Sequence, residues 1–282
     1  MKDRLAPHDV VFLSPVPDPT YGLPIGDGNT GCLIWLNDNG LEIQVNNTDL
    51  WDDTRLENVD HCSSEEENLT SLRHGARLSL DFEMPCFELI YQKDFEARIS
   101  LYDALATIKS VTPFSNISVK AFACHAEKVT VLECVRQTDE PVPVKFDAER
   151  WGSRNFWRWY AQMKRLPEAG LDGTAVDVTD NGIFITQALN GTSFCVGMIA
   201  DSNTGPQTKK IHNRKASMET GAQAETCLTI YLNVTVAGTV EEAKATCKAV
   251  LLNARQTAVD SLFASHQAEW HELWEKSFVS IP

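Results

Sequence analysis

Between about residues 31 and 235, apolar side chains recur at every second position. Leu41, Ile43 and Val45 alternate with Glu42, Gln44 and Asn46 after the turn Asn37-Asp38-Asn39-Gly40. Leu78, Leu80 and Phe82 alternate with Arg77, Ser79 and Asp81, and Leu228, Ile230, Leu232 and Val234 with Thr229, Tyr231, Asn233 and Thr235. Successive residues of a strand point to opposite faces, so period two with one apolar side describes antiparallel strands that each cover a core. Further strands are expected near 86–92, 95–101, 104–111, 115–125, 128–137, 142–148, 182–189, 193–200 and 209–218. So many short strands at close spacing predict a sandwich or barrel. No internal repeat is visible, which disfavours a propeller.

After Gly238 the period changes. Thr239 and Glu242 form a capping box, and Val240, Ala243, Cys247, Val250, Leu251, Ala254, Ala258 and Leu262 then recur along one helical face. A second stripe follows in His266, Trp270, Leu273, Trp274 and Ser277. The expected division is a β domain over 1–237 and a helical segment over 238–282.

A chain of 282 residues suits one large all-β domain or two ordinary ones. Its net charge of −14 argues against nucleic acid and against an anionic membrane surface as partner. No apolar run reaches the length of a membrane-spanning helix. The start, Met1 to Asp9, lacks the apolar centre of a signal peptide, leaving a cytosolic protein or an exported one with its signal removed. Eight cysteines (Cys32, Cys62, Cys86, Cys124, Cys134, Cys195, Cys227 and Cys247) include no CxxC pair. Most lie in apolar runs, so reduced, buried thiols are expected rather than a zinc site or a disulfide framework. Sequons at Asn46, Asn68, Asn116, Asn190 and Asn233 matter only in an exported protein. No cofactor and no metal is expected.

Within the β region, Gly26, Gly28 and Gly31 punctuate the stretch from Tyr21 to Gly31, which requires a sharp turn or a close approach of the backbone. No Gly-Lys-Ser/Thr follows, so a phosphate-binding loop is disfavoured. The strand Cys32-Leu33-Ile34-Trp35 and the corner Asn46-Asn47-Thr48-Asp49-Leu50-Trp51 come next. Turn and corner together resemble the opening of family 95 glycoside hydrolases, the alpha-L-fucosidase family. There a Leu-Pro-Ile-Gly-Asn-Gly turn leads through a strand into a Leu-Asn-Glu-Asp-Thr-Leu-Trp corner. Asp27 stands here where the family has Asn, and the corner reads Val45 to Trp51 with two asparagines, which marks a divergent branch. The stretch Tyr91–Ala106 resembles a pair of strands in that family, and His266–Ser277 resembles the end of its helical linker. The resemblance implies a mainly β chain: an antiparallel β super-sandwich of the galactose mutarotase type with a C-terminal helical linker. It also implies a non-catalytic N-terminal domain that packs on a catalytic (α/α) barrel, outside this sequence, and helps shape a carbohydrate cleft. The partners implied are that barrel and a carbohydrate. The family's catalytic residues lie in the barrel, so none is carried over.

Glycosidases need two carboxyl groups facing each other across the scissile bond. Asp49, Asp52 and Asp53 are the densest acidic cluster near a motif, but adjacent strand residues point apart and Asp52/Asp53 make a poor pair. The catalytic set is therefore empty. Asn46, Asn47, Thr48 and Asp49 are expected to hold the corner by bonding their own backbone while Trp51 packs beneath. Gly26, Asp27, Gly28 and Gly31 form the turn, whose loop is a second candidate border for the cleft. A carbohydrate platform is read in Trp151, Arg154, Trp157, Trp159 and Tyr160, since sugar C–H faces stack on aromatics and arginines bond hydroxyls. The competing reading has these aromatics filling the core or docking on a partner domain. Two further alternatives are a stand-alone carbohydrate-binding module and a sugar epimerase. The second draws on His74 and His125, because sugar mutarotases share a similar sandwich and use histidine with a carboxylate.

Overall fold

The computed structural model describes residues 1–52, 71–150, 173–189 and 191–277. Two antiparallel sheets face each other. One has nine strands in the order β1 (Val10–Phe12), β6 (Asp94–Ser100), β7 (Leu105–Val111), β8 (Ser115–Cys124), β9 (Val129–Val142), β16 (Gln223–Ala237), β13 (Thr192–Ser202), β12 (Gly182–Leu189) and β11 (Ala175–Thr179). The other has seven, ordered β14 (Gln207–His212), β15 (Lys215–Glu219), β10 (Lys145–Glu149), β5 (Ser71–Asp81), β4 (Gly40–Asp52), β3 (Thr30–Asn37) and β2 (Leu23–Gly26). A short helix α1 (Lys2–Leu5) opens the chain, and α2 (Val240–Gln256) and α3 (Val259–Lys276) close the described part. The mainly antiparallel sandwich with a C-terminal helical segment is one of the two architectures, sandwich or barrel, that the period-two pattern predicts, and the one that the resemblance implies.

Alternation sets which face is buried. In β3 the residues Thr30, Cys32, Ile34 and Leu36 face the core while their neighbours are half-exposed. Inner faces of both sheets supply one large apolar cluster, including Leu41, Ile43, Val45, Leu78, Leu80, Phe146, Val196 and Leu232. The strands β12 and β13 depart from alternation, being buried at nearly every position. Their outer face carries a second cluster in which Phe184, Cys195 and Ile199 meet Ala243, Cys247, Leu251 and Ala254 of α2. A strand covered on both faces reads as a continuous apolar run. Helix and sheet touch most closely at Gly197, where an added Cβ would overlap Cys247 Sγ and lie 2.9 Å from Leu251 Cδ1.

Thr239 Oγ1 accepts the Glu242 N–H at 3.2 Å and caps α2, as the capping box requires. The apolar stripe through Leu262 does not form one helix: the chain breaks at Thr257, in extended conformation, and α3 restarts at Val259. Segment 86–92 is not a strand. Cys86 and Phe87 are buried, a single 3-10 turn covers Leu89–Tyr91, and side chains replace a partner strand: Ser110 Oγ and Gln92 Nε2 both donate to the Cys86 carbonyl. Segment 209–218 is a hairpin of β14 and β15, because Asn213 and Arg214 turn the chain. The strands β1, β2 and β11 carry too few alternating positions to stand out in the sequence.

The chain crosses between sheets after β9, and there a fully buried Arg136 holds the crossing. Its guanidinium donates to the carbonyls of Phe82 (3.3 Å), Val142, Pro143 (2.8 Å) and Gln223 (3.0 Å) and to Thr226 Oγ1 (2.9 Å). Among the described residues no carboxylate pairs with it, and Nε has no hydrogen-bond partner. Burial lowers its pKa from the usual arginine value, yet arginine stays charged in proteins. Carbonyl dipoles from both sheets thus solvate the cation in place of water. Arg136→Met removes every one of these donors and leaves buried acceptors unpaired. We expect it to lower unfolding free energy by at least about 3 kcal/mol. Urea denaturation checks this, and a loss below about 1 kcal/mol would show that the cage matters little.

Candidate functional site

The glycine turn and the asparagine corner meet at one end of the sandwich. Gly28 takes a positive φ of 96°, which suits the loop joining β2 to β3. Asp27 Oδ1 accepts the backbone N–H groups of Asn29 (2.9 Å) and Thr30 (2.7 Å), closing the turn. Asn47 Oδ1 accepts from Asp49 N at 2.9 Å, and Asn47 Nδ2 donates to Thr30 Oγ1 at 3.1 Å. The Thr48 N–H donates to the Asn29 carbonyl at 2.9 Å, so turn and corner form one network. Between Asn46 and Trp51 the pairing of β4 with β5 slips, a bulge that the Asx turn at Asn47 produces. Trp51 does not pack beneath the corner; it is 47% exposed, and the fully buried Leu50 fills that place. Gly26 lies at the end of β2 opposite Gly31, the first pair of the hairpin.

His125, in the turn between β8 and β9, donates from Nδ1 to the Asp27 carbonyl at 2.8 Å, tying this end to the other sheet. His74 lies on β5, its pKa lowered first by burial and then by the positive charges of Arg150 and Arg73. The two histidines therefore lie on different sheets, His74 in a strand of the seven-stranded sheet and His125 in a turn of the nine-stranded one. Trp151, Arg154, Trp157, Trp159 and Tyr160 lie outside the described residues, as do Asp53, Cys62 and Asn68.

Beside the glycine turn, α3 docks on the loop between β6 and β7. The groove between them, about 400 Å³, is lined by Ile25, Gly26, Gly28, Leu101, Trp270 and Trp274, among others. Trp270 and Trp274 lie four residues apart on one helical face, with ring centroids 6.4 Å apart. Trp274 Nε1 donates to the Leu101 carbonyl at 2.7 Å.

Polar residues fix the helix. His266 is buried with Nδ1 2.9 Å from the Ala123 carbonyl and Nε2 3.0 and 3.2 Å from those of Asp103 and Ala104. Asp103 Oδ1 accepts from Gln267 Nε2 (2.8 Å) and His271 Nε2 (2.9 Å), while Tyr102 stacks on the His271 ring at 3.9 Å. No local pattern points to the Asp103–His271 pair, because 168 residues separate them. A histidine and a carboxylate do converge here, as an epimerase requires. Yet one ring face of His271 is stacked and Asp103 is held by two donors, the geometry of a clasp rather than an open acid–base pair.

Most thiols among the described residues are buried. Burial pushes Cys32 and Cys134 up to about 12, and six of the seven described cysteines are buried free thiols, Cys227 being exposed. Among the described residues no cluster of three or more His, Cys, Asp or Glu is placed to hold a metal ion, and no helix is long and apolar enough to cross a membrane.

No protein-family model and no curated protein sequence matches this chain. Solved structures match it in fold. A protein from the human microbiome assigned as a kojibiose phosphorylase aligns over 95% of this chain with a TM-score of 0.64 and 11% identity. This chain covers 38% of that protein, about two fifths of its length. A bacterial glucoamylase complexed with acarbose aligns over 95% of this chain and 41% of its own (8% identity, TM-score 0.42). An inverting mannosidase of family GH92 from Bacteroides thetaiotaomicron aligns over 89% and 32% (10%, 0.43). The last two scores are too low to carry an argument. The first establishes a shared β-sandwich fold.

Partial burial raises the Asp103 pKa, but the hydrogen bonds of His271 and Gln267 outweigh it and hold the carboxyl below its usual value. A lowered carboxylate pKa adds stability that is complete above the unfolded value, about 4, and is lost as pH falls through the folded one. Stability of the wild-type chain should therefore drop between about pH 4 and pH 2 more steeply than that of Asp103→Asn. Urea midpoints across that range test this, and parallel curves would remove the clasp from the account.

Proposed function

We propose that this chain is the non-catalytic N-terminal β-sandwich domain of a carbohydrate-active glycoside hydrolase, and that it packs on and shapes the cleft of a catalytic (α/α) barrel. Residues 1–237 form the sandwich and 238–282 the linker leading to that barrel. The observation carrying this reading is the groove where α3 and the glycine turn meet, with Trp270 and Trp274 half-exposed beside Gly26 and Gly28. Half-exposed tryptophans set beside a backbone turn make a surface suited to a second domain. The fold shared with a protein more than twice as long supports it. So does the family 95 resemblance of turn, corner and linker, which makes fucosides the first substrates to test. Reaction at the glycosidic bond belongs to carboxyl groups of the barrel.

Sequencing the locus past the codon for Pro282 tests the reading. Several hundred further residues with helical periodicity are expected, together with no measurable turnover of aryl fucosides by the 282-residue chain alone. A stop codon directly after Pro282, or turnover by this chain, would overturn it.

A further inference from the structure

The two sheets differ on their outer faces. The nine-stranded sheet is covered by α2 with apolar contacts, whereas the seven-stranded sheet presents charged side chains in a groove of about 410 Å³. Register places them in two rows. Glu42 of β4, Ser79 of β5 and Asp147 of β10 are cross-strand neighbours, as are Arg77 of β5, Glu149 of β10 and Lys215 of β15. Strands lie about 4.8 Å apart and two residues advance about 6.8 Å, so the two rows, offset by one strand, span four strands and outline a patch of roughly 14 by 7 Å.

This patch is ordered before any ligand arrives. Glu42 accepts from Arg77 Nε (2.9 Å), Ser79 Oγ (3.1 Å) and Asn37 Nδ2 (3.1 Å), leaving its side chain 13% exposed. The Arg77 guanidinium lies over the Trp35 ring, 5.7 Å from its centroid. Lys215 Nζ bonds Asp147 at 2.7 Å, and Glu149 pairs in register with both Arg77 and Lys215. Three carboxylates and two cations nearly balance. A charged ligand would meet its own sign within one strand spacing, whereas hydroxyl groups, which both donate and accept, find partners on every strand.

We propose that this outer face binds a neutral saccharide, whose hydroxyls bridge Glu42, Arg77, Asp147, Glu149 and Lys215. The site goes beyond the domain-packing reading and does not depend on it. It lies on the sheet opposite the helices and needs no barrel.

The test titrates the 282-residue chain with maltose, kojibiose, cellobiose and lactose, and with glucuronic acid and glucosamine as charged controls. Calorimetry and amide chemical shifts are the readouts. At least one neutral disaccharide should bind saturably and shift the amides of residues 42, 77, 147, 149 and 215. Glu149→Gln and Lys215→Ala, both on a half-exposed face and checked for unchanged thermal midpoints, should each weaken binding at least tenfold. Trp274→Ala, in the other groove, should leave it unchanged. The proposal is overturned if no neutral disaccharide gives a saturable response, if a charged control binds more tightly, or if the Glu149 and Lys215 variants bind like the wild type. The locus sequence judges the domain reading separately, so failure of one is distinguishable from failure of the other.

Discussion

Everything in the sandwich rests on the chain passing between two sheets without leaving buried carbonyls unpaired. Arg136 solves this at the crossing after β9, where Phe82, Val142, Pro143, Gln223 and Thr226 converge on one guanidinium. Ladder pairing runs out here: Val142 and Gln223 form the end pair of the β9–β16 ladder, and Phe82 and Pro143 lie just beyond strand ends. A neutral side chain offers too few donors, and lysine's three point from one atom; the planar guanidinium spans them. A charge buried without a carboxylate is tolerable only because its acceptors are fixed by the strands they terminate. The cation and the crossing therefore stabilise each other.

Coverage of the outer faces follows from the same architecture. Gly197 lets α2 approach β13, and the apolar helix face then buries strands that would otherwise expose Phe184, Cys195 and Ile199. From α2 the chain continues into α3, whose first turns pack Leu262 and Phe263 on the sheet and whose later turns are held by polar bonds to carbonyls and to Asp103. Trp270 and Trp274 then line the groove beside the glycine turn. Ion pairs on the bare seven-stranded face, such as Lys215–Asp147, are half-exposed and add little to stability. Their fixed geometry makes them more consequential for recognition than for folding.

Much of this was legible beforehand. Alternation located β4, β5 and β16, since one solvated face forces period two, and strand-like runs located β3, β6 to β10, β12 and β13, although several strands extend further than the pattern showed. The capping box placed the start of α2 for an equally local reason. At 86–92 the reading failed because aliphatic residues in a 3-10 turn look like a short strand when partners are unknown, and at 209–218 because an Asn-Arg turn interrupts a run that is otherwise continuous. Trp51 was expected inside and lies half outside, because the bulge at Asn47 reverses which corner residue faces the core.

Sequence by itself determined the fold class, the helical end and the bond-forming turn at Gly26–Gly31, all set by interactions spanning a few residues. Only tertiary structure decided which distant residues meet: Arg136 with acceptors on three chain segments, Asp103 with His271, and Glu42 with Arg77 on the bare sheet face. Those contacts depend on strand order and register. Local periodicity says which face a residue occupies, but carries no information about the strand that lies beside it.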